Sequence, residues 1–328
     1  MVEKIDNDLY RIGIPLPGNP LKELNSYVLL GGERNLVIDT GFNMPECKEA
    51  MDKGMKEIGL SRESCDLFIT HVHSDHCGLV GYLSRPDTQV YCSNYTSYAF
   101  AHGSYGNEVL YGYFNAMVAQ SGLPMMDLAS HPGAQYAPEA ADNVVIVQDG
   151  DIIRVGNWTL QCIMTSGHAP EHVCLYDKER KVLFSGDHIL AGITPNNALW
   201  DSPWEVQEDL LGEYLANLDK MEKLAIAVIY PAHRASITNV HGRIQELKEH
   251  HARRLNGILM ILGEGKMNGA EIAGKMHWDL RGKLWSDFSL THKLFATGEA
   301  LSHLTHFVHL GVLKKELCNG IVYYSKSN

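Results

Sequence analysis

Four side chains that can bind a metal ion lie close together between positions 71 and 76. Residues 70–76 read Thr-His-Val-His-Ser-Asp-His and follow the short apolar run 65–69, whose composition favours a β-strand. A loop at a strand end can turn two histidines at alternate positions toward one ion, while the next Asp and His reach a second ion. The segment therefore predicts a metal-binding loop that serves two ions.

Three more candidate ligands lie far along the chain, each shortly after an apolar, strand-like run: His168, Asp187 and His233. Alone, each would more often be an ordinary histidine or a turn aspartate. Because all three follow predicted strands, we expect them to meet the first cluster at one edge of a sheet. Together they complete a plausible ligand set: His71, His73, Asp75, His76, His168, Asp187 and His233.

These motifs, in this order, resemble those of the metallo-β-lactamase-fold hydrolase superfamily, which includes glyoxalase II, RNase Z and the class B lactamases. The resemblance covers roughly residues 5–240 and implies two metal sites bridged by Asp187. The first site would be formed by His71, His73 and His168, and the second by Asp75, His76 and His233. Asp39, in the run Leu-Val-Ile-Asp-Thr-Gly, matches the family's early acidic motif and would orient ligands rather than bind metal.

The ligand set implies metal-activated hydrolysis. Two divalent ions, with zinc expected first and iron or manganese as alternatives, would share Asp187 and a solvent oxygen and lower the pKa of that solvent. The resulting hydroxide would attack the substrate while one metal polarises the electrophile. Asp75 would bind metal and orient the nucleophile, and His188 is a candidate for proton handling. His188 could instead hold a ligand in place or simply pack, and the role of His172 is likewise open.

The sequence says less about the substrate. Residues 241–328 carry twelve Lys and Arg against eight Asp and Glu, about +4, which leaves about −15 for residues 1–240. That acidic balance disfavours polyanionic RNA or DNA. The first hypothesis is therefore hydrolysis of a small-molecule ester, thioester or lactone. The alternatives are a phosphodiesterase or nuclease on the same fold, a mononuclear iron dioxygenase of persulfides, and a metal-sensing regulator that binds nucleic acid.

Composition is that of a large globular protein. With 328 residues, 45% of them hydrophobic, the chain is long enough for two domains with substantial cores. The first residues have neither a basic region nor an apolar core, so no signal peptide is expected, and no apolar stretch approaches membrane-spanning length. Seven cysteines without paired spacing favour reduced thiols in a cytoplasmic protein. Cys77, beside the motif, is expected to pack rather than react.

Strand and helix signals in residues 1–240 predict an α/β catalytic domain. Each half of this segment has several strand-like runs and helices, including a helix predicted at 45–58 and another at 205–224. Two such halves suit an αββα sandwich, in which two facing sheets are covered by helices on both outer sides. The predicted ligands would then lie at the shared edge of the sheets.

Residues 94–141 interrupt this pattern with a largely helical segment. It is rich in aromatic residues and Met: Tyr95, Tyr98, Phe100, Tyr105, Tyr111, Tyr113, Phe114, Met117, Met125 and Met126. Such residues most often pack, but an insertion near the edge of an active site can also form a substrate cap, and both interpretations stay open. Trp200 and Trp204 could contribute another wall.

Residues 241–328 are predicted to form a second domain. Helices at 244–262, 269–276 and 299–310 precede an Asn-Gly hairpin signal at 319–320, and three helices with a hairpin resemble a winged helix. The third helix carries His303, His306 and His309, for which an exposed polar face is favoured over a metal patch or nucleic-acid contacts. Residues 241–328 carry too little positive charge for a typical DNA-binding domain. The expected role is packing against the catalytic domain or forming a homodimer.

Overall fold

The computed structural model describes residues 1–102, 105–125, 136, 138–278 and 284–327. Part of the aromatic segment 94–141 therefore lies outside the described residues. This applies to Met126 and to the side chains of Tyr105, Tyr111 and Tyr113.

A seven-stranded sheet contains strands from residues 1–147 in their chain order. Neighbours from β1 to β4 pair antiparallel, and neighbours from β4 to β7 pair parallel. The strands are β1 (Val2–Asp6), β2 (Leu9–Pro15), β3 (Glu23–Leu29), β4 (Asn35–Ile38), β5 (Cys65–Phe68), β6 (Val90–Cys92) and β7 (Val144–Ile146). Leu36 and Ile38 face one core while Val37 faces another, so this sheet is buried on both faces.

A five-stranded sheet lies opposite the first. It consists of β8 (Ile152–Val155), β9 (Trp158–Met164), β10 (Val173–Asp177), β11 (Val182–Gly186) and β12 (Val228–Pro231). Strands β8 to β11 pair antiparallel in sequence, and β12 returns to pair parallel with β11. Consequently β9, β11 and β12 run in one direction, and their carboxyl ends reach the same edge of the sheet.

The two sheets enclose the central core. Tyr27 of β3 reaches Phe184 of β11, with ring centroids 5.4 Å apart, and Trp158 of β9 lies 5.9 Å from the same Phe184 ring. All three side chains are buried. Removing such large apolar surfaces from water is the main force that holds the sheets together, and it fixes the edge at which the loops meet.

Helices lie on both outer faces of the sandwich. Before residue 240, the described α-helices are α1 (Pro45–Ile58), α2 (Ser74–Cys77), α3 (Val80–Leu83), α4 (Asn94–His102), α5 (Tyr105–Ser121) and α6 (Leu210–Glu222). Helix α1 starts with proline and ends at Gly59, whose φ of 82° closes the last turn, and it packs on the seven-stranded sheet. Helix α6 packs on the other sheet. The predicted αββα sandwich is therefore confirmed.

The last part of the chain adds helices and a small sheet. These elements are α7 (Val240–Leu262), β13 (Met267–Asn268), α8 (Gly269–Lys275), α9 (Leu290–His309), β14 (Leu313–Cys318) and β15 (Ile321–Lys326). The β14–β15 hairpin turns at Asn319 and Gly320, which both have positive φ. Helix α7 contributes to the core beneath α6 and to a second core shared with α5 and α9. Assignment of residues 241–328 to a separate winged-helix domain stays a prediction.

Helix α9 corrects one expectation. It begins at Leu290, well before the predicted start, and Ser289 caps it by accepting a hydrogen bond from the His292 N–H. An exposed polar face is wrong for His303, which is fully buried, because α9 packs against α5, α7 and α8. His306 is partly buried and pairs with Asp209, whereas His309 is exposed.

Among the described helices, none combines the length and apolarity that crossing a bilayer requires.

Candidate metal centre

The predicted ligands lie on loops beyond the carboxyl ends of four strands. The 70–76 loop follows β5, and its last residues begin the short helix α2. His168, Asp187 and His233 follow β9, β11 and β12, which share one direction and therefore deliver them to one edge. The structure brings all seven predicted ligands together. Two groups, His71 with His73 and His168, and Asp75 with His76 and His233, are joined by Asp187, which forms a third set with His71 and His76. Within each set the candidate ligand atoms lie within 4.8 Å of one another.

The first group contains three imidazoles. Nδ1 of His73 lies 2.9 Å from Nε2 of His71 and 3.0 Å from Nε2 of His168. The rings meet edge to face, with centroids between 4.5 and 4.9 Å apart. A lone pair from each ring can therefore be directed at one cation, which is how histidines bind zinc.

The second group combines Asp75, His76 and His233. Nε2 of His233 lies 3.6 Å from Oδ2 of Asp75, and Nε2 of His76 lies 4.0 Å from Oδ1 of the same carboxylate. Both imidazoles are fully buried, whereas the Asp75 side chain is 14% exposed. Solvent or a substrate can therefore approach this group from the side of Asp75.

Asp187 lies between the two groups. Its Oδ2 is 3.6 Å from Nε2 of both His76 and His168, and its Oδ1 is 3.6 Å from Nε2 of His233. These separations are too long for good hydrogen bonds. They match the spacing of about 3.3–3.5 Å between two ligands that each lie about 2.0–2.1 Å from a tetrahedral metal. Asp187 is thus the side chain that can serve both groups.

Hydrogen bonds on the far side of two rings determine their tautomers. Nδ1 of His168 lies 2.8 Å from the Asn196 carbonyl oxygen, and Nδ1 of His233 lies 2.8 Å from the Glu23 carbonyl oxygen. A carbonyl oxygen only accepts, so each Nδ1 carries the proton. Each Nε2 therefore presents a lone pair to the centre, as metal binding requires.

Asp39 anchors the 70–76 loop and determines the tautomers of its histidines His71 and His76. Its carboxylate accepts from the Thr70 N–H at 2.9 Å, from the Thr70 hydroxyl at 2.9 Å and from Nδ1 of His76 at 2.8 Å. The Thr70 hydroxyl in turn accepts from Nδ1 of His71 at 3.0 Å. Asp39 is buried and holds a φ of 58°, a conformation that few residues other than Gly, Asn and Asp adopt readily.

Several buried polar atoms at this centre have no hydrogen-bond partner among the described residues: Nε2 of His76, Nε2 of His233 and Oδ1 of Asp187. Buried polar atoms are nearly always paired, because an unpaired one costs about 1–3 kcal/mol. Burial opposes ionisation of Asp187, but the neighbouring His233 and His76 outweigh it and hold its pKa well below the ordinary value. A divalent cation that replaces the protons of these two imidazoles would meet an ionised carboxylate, so the donor set fits such a cation.

Two residues that support the loops were less visible in the sequence. His172, whose role was left open, is buried and accepts from the Asp187 N–H at 3.1 Å. Glu171, which was not predicted, accepts from the Val72 N–H at 3.0 Å and so ties the 168–172 turn to the 70–76 loop. Cys77 is buried and donates to the Val72 carbonyl oxygen at 3.0 Å. The spacing of His172 from His168 was the one available signal for these contacts.

The structure does not bring His188 into the metal-binding groups. Its ring is buried against Tyr214, with centroids 5.1 Å apart, and burial lowers its pKa to about 3. Trp200 packs between Phe114 of α5 and Phe295 of α9, at centroid distances of 4.7 and 5.1 Å. Trp204 is partly exposed. Substrate contacts for these tryptophans stay a prediction.

Curated relatives share most of this chain. It is 28% identical over 261 residues to the "Atrochrysone carboxyl ACP thioesterase" of Emericella nidulans, covering 80% of this chain and 66% of the relative. It is 27% identical over 251 residues to the "Lactamase-like protein nscB" of Aspergillus fumigatus, covering 75% of this chain and 60% of the relative. The chain thus spans less than two thirds of the length of these relatives.

Solved structures share the fold. A metallo-beta-lactamase family protein from Thermus thermophilus matches with a TM-score of 0.81 and 25% identity, covering 99% of this chain and 100% of the other. A beta-lactamase domain protein from Burkholderia ambifaria matches with a TM-score of 0.81 and 22% identity, covering 99% and 95%. The sequence profile of the metallo-beta-lactamase superfamily matches residues 22–233, which contain every predicted metal ligand. The chain belongs to the metallo-beta-lactamase superfamily.

Proposed function

We propose that this protein is a dinuclear metal-dependent hydrolase that cleaves thioesters of small or carrier-bound acyl groups. The observation that carries the proposal is the position of Asp187, whose two oxygens lie 3.6 Å from imidazole nitrogens of both groups. The first ion would be held by His71, His73 and His168, and the second by Asp75, His76 and His233. Zinc is the expected metal, because buried imidazoles with few carboxylates suit it.

When bound, two such ions would supply a lower pKa for a water nucleophile and polarisation of the substrate carbonyl. The protein's own residues determine where this happens. Asp187 supplies negative charge between the two groups, and Asp39 and the Asn196 and Glu23 carbonyls hold the imidazoles in the tautomer that binds metal. Asp75, the partly exposed carboxylate of the second group, would orient the nucleophile.

The thioester substrate is proposed on chemical and comparative grounds. The acidic residues 1–240 disfavour a polyanionic substrate, which leaves carbonyl substrates as the better fit for the same centre. A relative that covers 80% of this chain is named a carboxyl ACP thioesterase, which supports the thioester class. We also propose that residues 1–240 form the catalytic domain and that 241–328 form a winged-helix-like domain packed against it.

The test is metal analysis of the purified protein combined with assays on thioester, ester, lactone and phosphodiester substrates. We expect two zinc ions per chain and the fastest turnover on a thioester. Asp187→Ala should remove most activity and reduce metal content, whereas Asp142→Ala, a change at an exposed carboxylate, should alter neither. One iron per chain with oxygen uptake that depends on a persulfide would contradict the hydrolase and favour the dioxygenase.

A further inference from the structure

The segment between Asp187 and α6 is held by the C-terminal helices. Arg243 of α7 donates to the Leu190 carbonyl oxygen at 2.7 Å and to the Ile193 carbonyl oxygen at 2.5 Å. The Leu199 N–H donates to the Gly298 carbonyl oxygen of α9 at 2.8 Å. This segment contains Asn196, whose carbonyl oxygen accepts from His168. The orientation of a proposed metal ligand therefore depends on a loop that α7 and α9 support.

A chain of buried hydrogen bonds links this loop to α9. Nδ1 of His303 lies 2.7 Å from the Glu299 carbonyl oxygen, so it carries the proton and leaves Nε2 as an acceptor. Nδ1 of His251 lies 3.1 Å from that acceptor and must donate to it. Nε2 of His251 is then an acceptor for the Asn197 side-chain amide, 3.3 Å away. Each hydrogen bond therefore determines which atom donates in the next one.

This chain of hydrogen bonds is shielded from solvent. His251, His303 and Asn197 are all fully buried. Burial lowers the pKa of His251 well below its ordinary value and that of His303 to about 4, so both rings stay neutral and keep the tautomers that the contacts require. A buried amide that lost its partner would need to move or remain unpaired. Asn197 is bonded through one peptide to Asn196, so such a movement would shift the carbonyl oxygen that holds His168.

We infer that His251 is a positioning residue for the metal centre, acting through Asn197 and the Asn196 carbonyl oxygen on His168. The inference rests on the proposed role of His168 as a metal ligand. Helices α7 and α9 would then help to orient a metal ligand, in addition to stabilising the fold. If His251 had a merely structural role, its loss would lower stability and leave the affinity for metal unchanged.

The test is titration of the metal-free full-length protein with Co²⁺, in which affinity and the visible absorption spectrum of the bound ion are both measured. His251→Leu keeps an apolar group of similar size but removes both hydrogen bonds, so we expect about a tenfold or greater loss of affinity and an altered spectrum. His251→Gln retains an acceptor and a donor and should lie closer to the wild type. Asn197→Ala should resemble His251→Leu, and the double variant should lose little more than either single change.

Ile272→Ala in α8 is the control for general destabilisation. Ile272 is buried in the core that α7 shares with α5 and α9, but it takes no part in the chain of hydrogen bonds. The Ile272→Ala change should lower the unfolding midpoint and leave Co²⁺ affinity and spectrum unchanged. Unchanged Co²⁺ binding in His251→Leu, or an equal loss in Ile272→Ala, would overturn the inference while leaving the proposed hydrolase intact. A wild-type protein that binds no Co²⁺ would overturn both.

Discussion

The backbone N–H of Asp187 donates a hydrogen bond to Nε2 of His172 at 3.1 Å. Nδ1 of His172 lies 2.8 Å from the hydroxyl of Thr165, which completes the pairing of the buried ring. Gly186 lets the ring come this close, because a Cβ at position 186 would lie only 2.5 Å from the same Nε2. Asp187, the proposed bridging carboxylate, is thus positioned by a histidine that does not itself belong to a candidate metal-binding group.

His172→Leu should therefore weaken the centre without removing a ligand. The change leaves the Asp187 N–H unpaired in a buried site, and such losses around metal ligands typically cost about 10–100-fold in affinity or activity. We expect lower kcat and weaker zinc retention in a competition assay with a chelator. Ser166→Ala, which removes a half-buried hydroxyl that donates to the nearby Pro170 carbonyl oxygen, serves as the control. Equal zinc retention in His172→Leu and the wild type would contradict this role.

Asp39 offers a test of tautomer control. Asn tolerates the positive φ of this position, so Asp39→Asn removes charge and acceptor capacity with little backbone strain. The carboxylate accepts from the Thr70 N–H with Oδ1 and from His76 with Oδ2, whereas an amide has a single acceptor oxygen. One side of the introduced amide would therefore set an NH2 group either against the Thr70 N–H or against Nδ1 of His76, where it would favour the wrong tautomer. We expect zinc affinity to fall about 10–100-fold in Asp39→Asn, nearly as far as in Asp39→Ala. An Asn variant that binds zinc like the wild type would show that the acceptor is dispensable.

Removal of metal should destabilise the protein as well as inactivate it. A bound cation would satisfy the unpaired nitrogens of His76 and His233 and the unpaired oxygen of Asp187, so we expect the folded state to bind metal far better than the unfolded chain does. At a free zinc concentration of about 100 times Kd, this adds about 2.7 kcal/mol to the free energy of unfolding. Thermal unfolding with chelator, and again after zinc is restored, measures the difference. In Asp187→Ala that zinc-dependent difference should shrink.

The order of the motifs was sufficient to predict the sandwich and the seven candidate ligands that the structure brings together, because strand-end histidines and carboxylates are chemically distinctive. The groups that orient the ligands could not be predicted in the same way. The Asn196 and Glu23 carbonyls are backbone atoms that every residue possesses, and the contact between Glu23 and His233 spans most of residues 1–240. His303 was misjudged for a related reason. The periodicity of α9 suggested one polar face, but several helices surround it.

Glu299 provides a test of pH dependence away from the metal centre. Its carboxylate lies 3.2 Å from Arg254 and 4.0 Å from His250, and these contacts outweigh burial and lower its pKa. Because the folded-state pKa is depressed, the stabilisation is complete above the unfolded pKa of about 4.3 and is lost as pH falls through the folded value. Glu299→Gln should reduce the free energy of unfolding by about 1.5–3 kcal/mol near neutral pH, with the difference from wild type shrinking in acid. Urea unfolding from neutral to acidic pH measures this difference in the free energy of unfolding. Glu57→Gln, a change at an exposed position on α1, should show no pH-dependent difference from the wild type. A difference that stayed constant into acid would assign the effect of Glu299→Gln to packing.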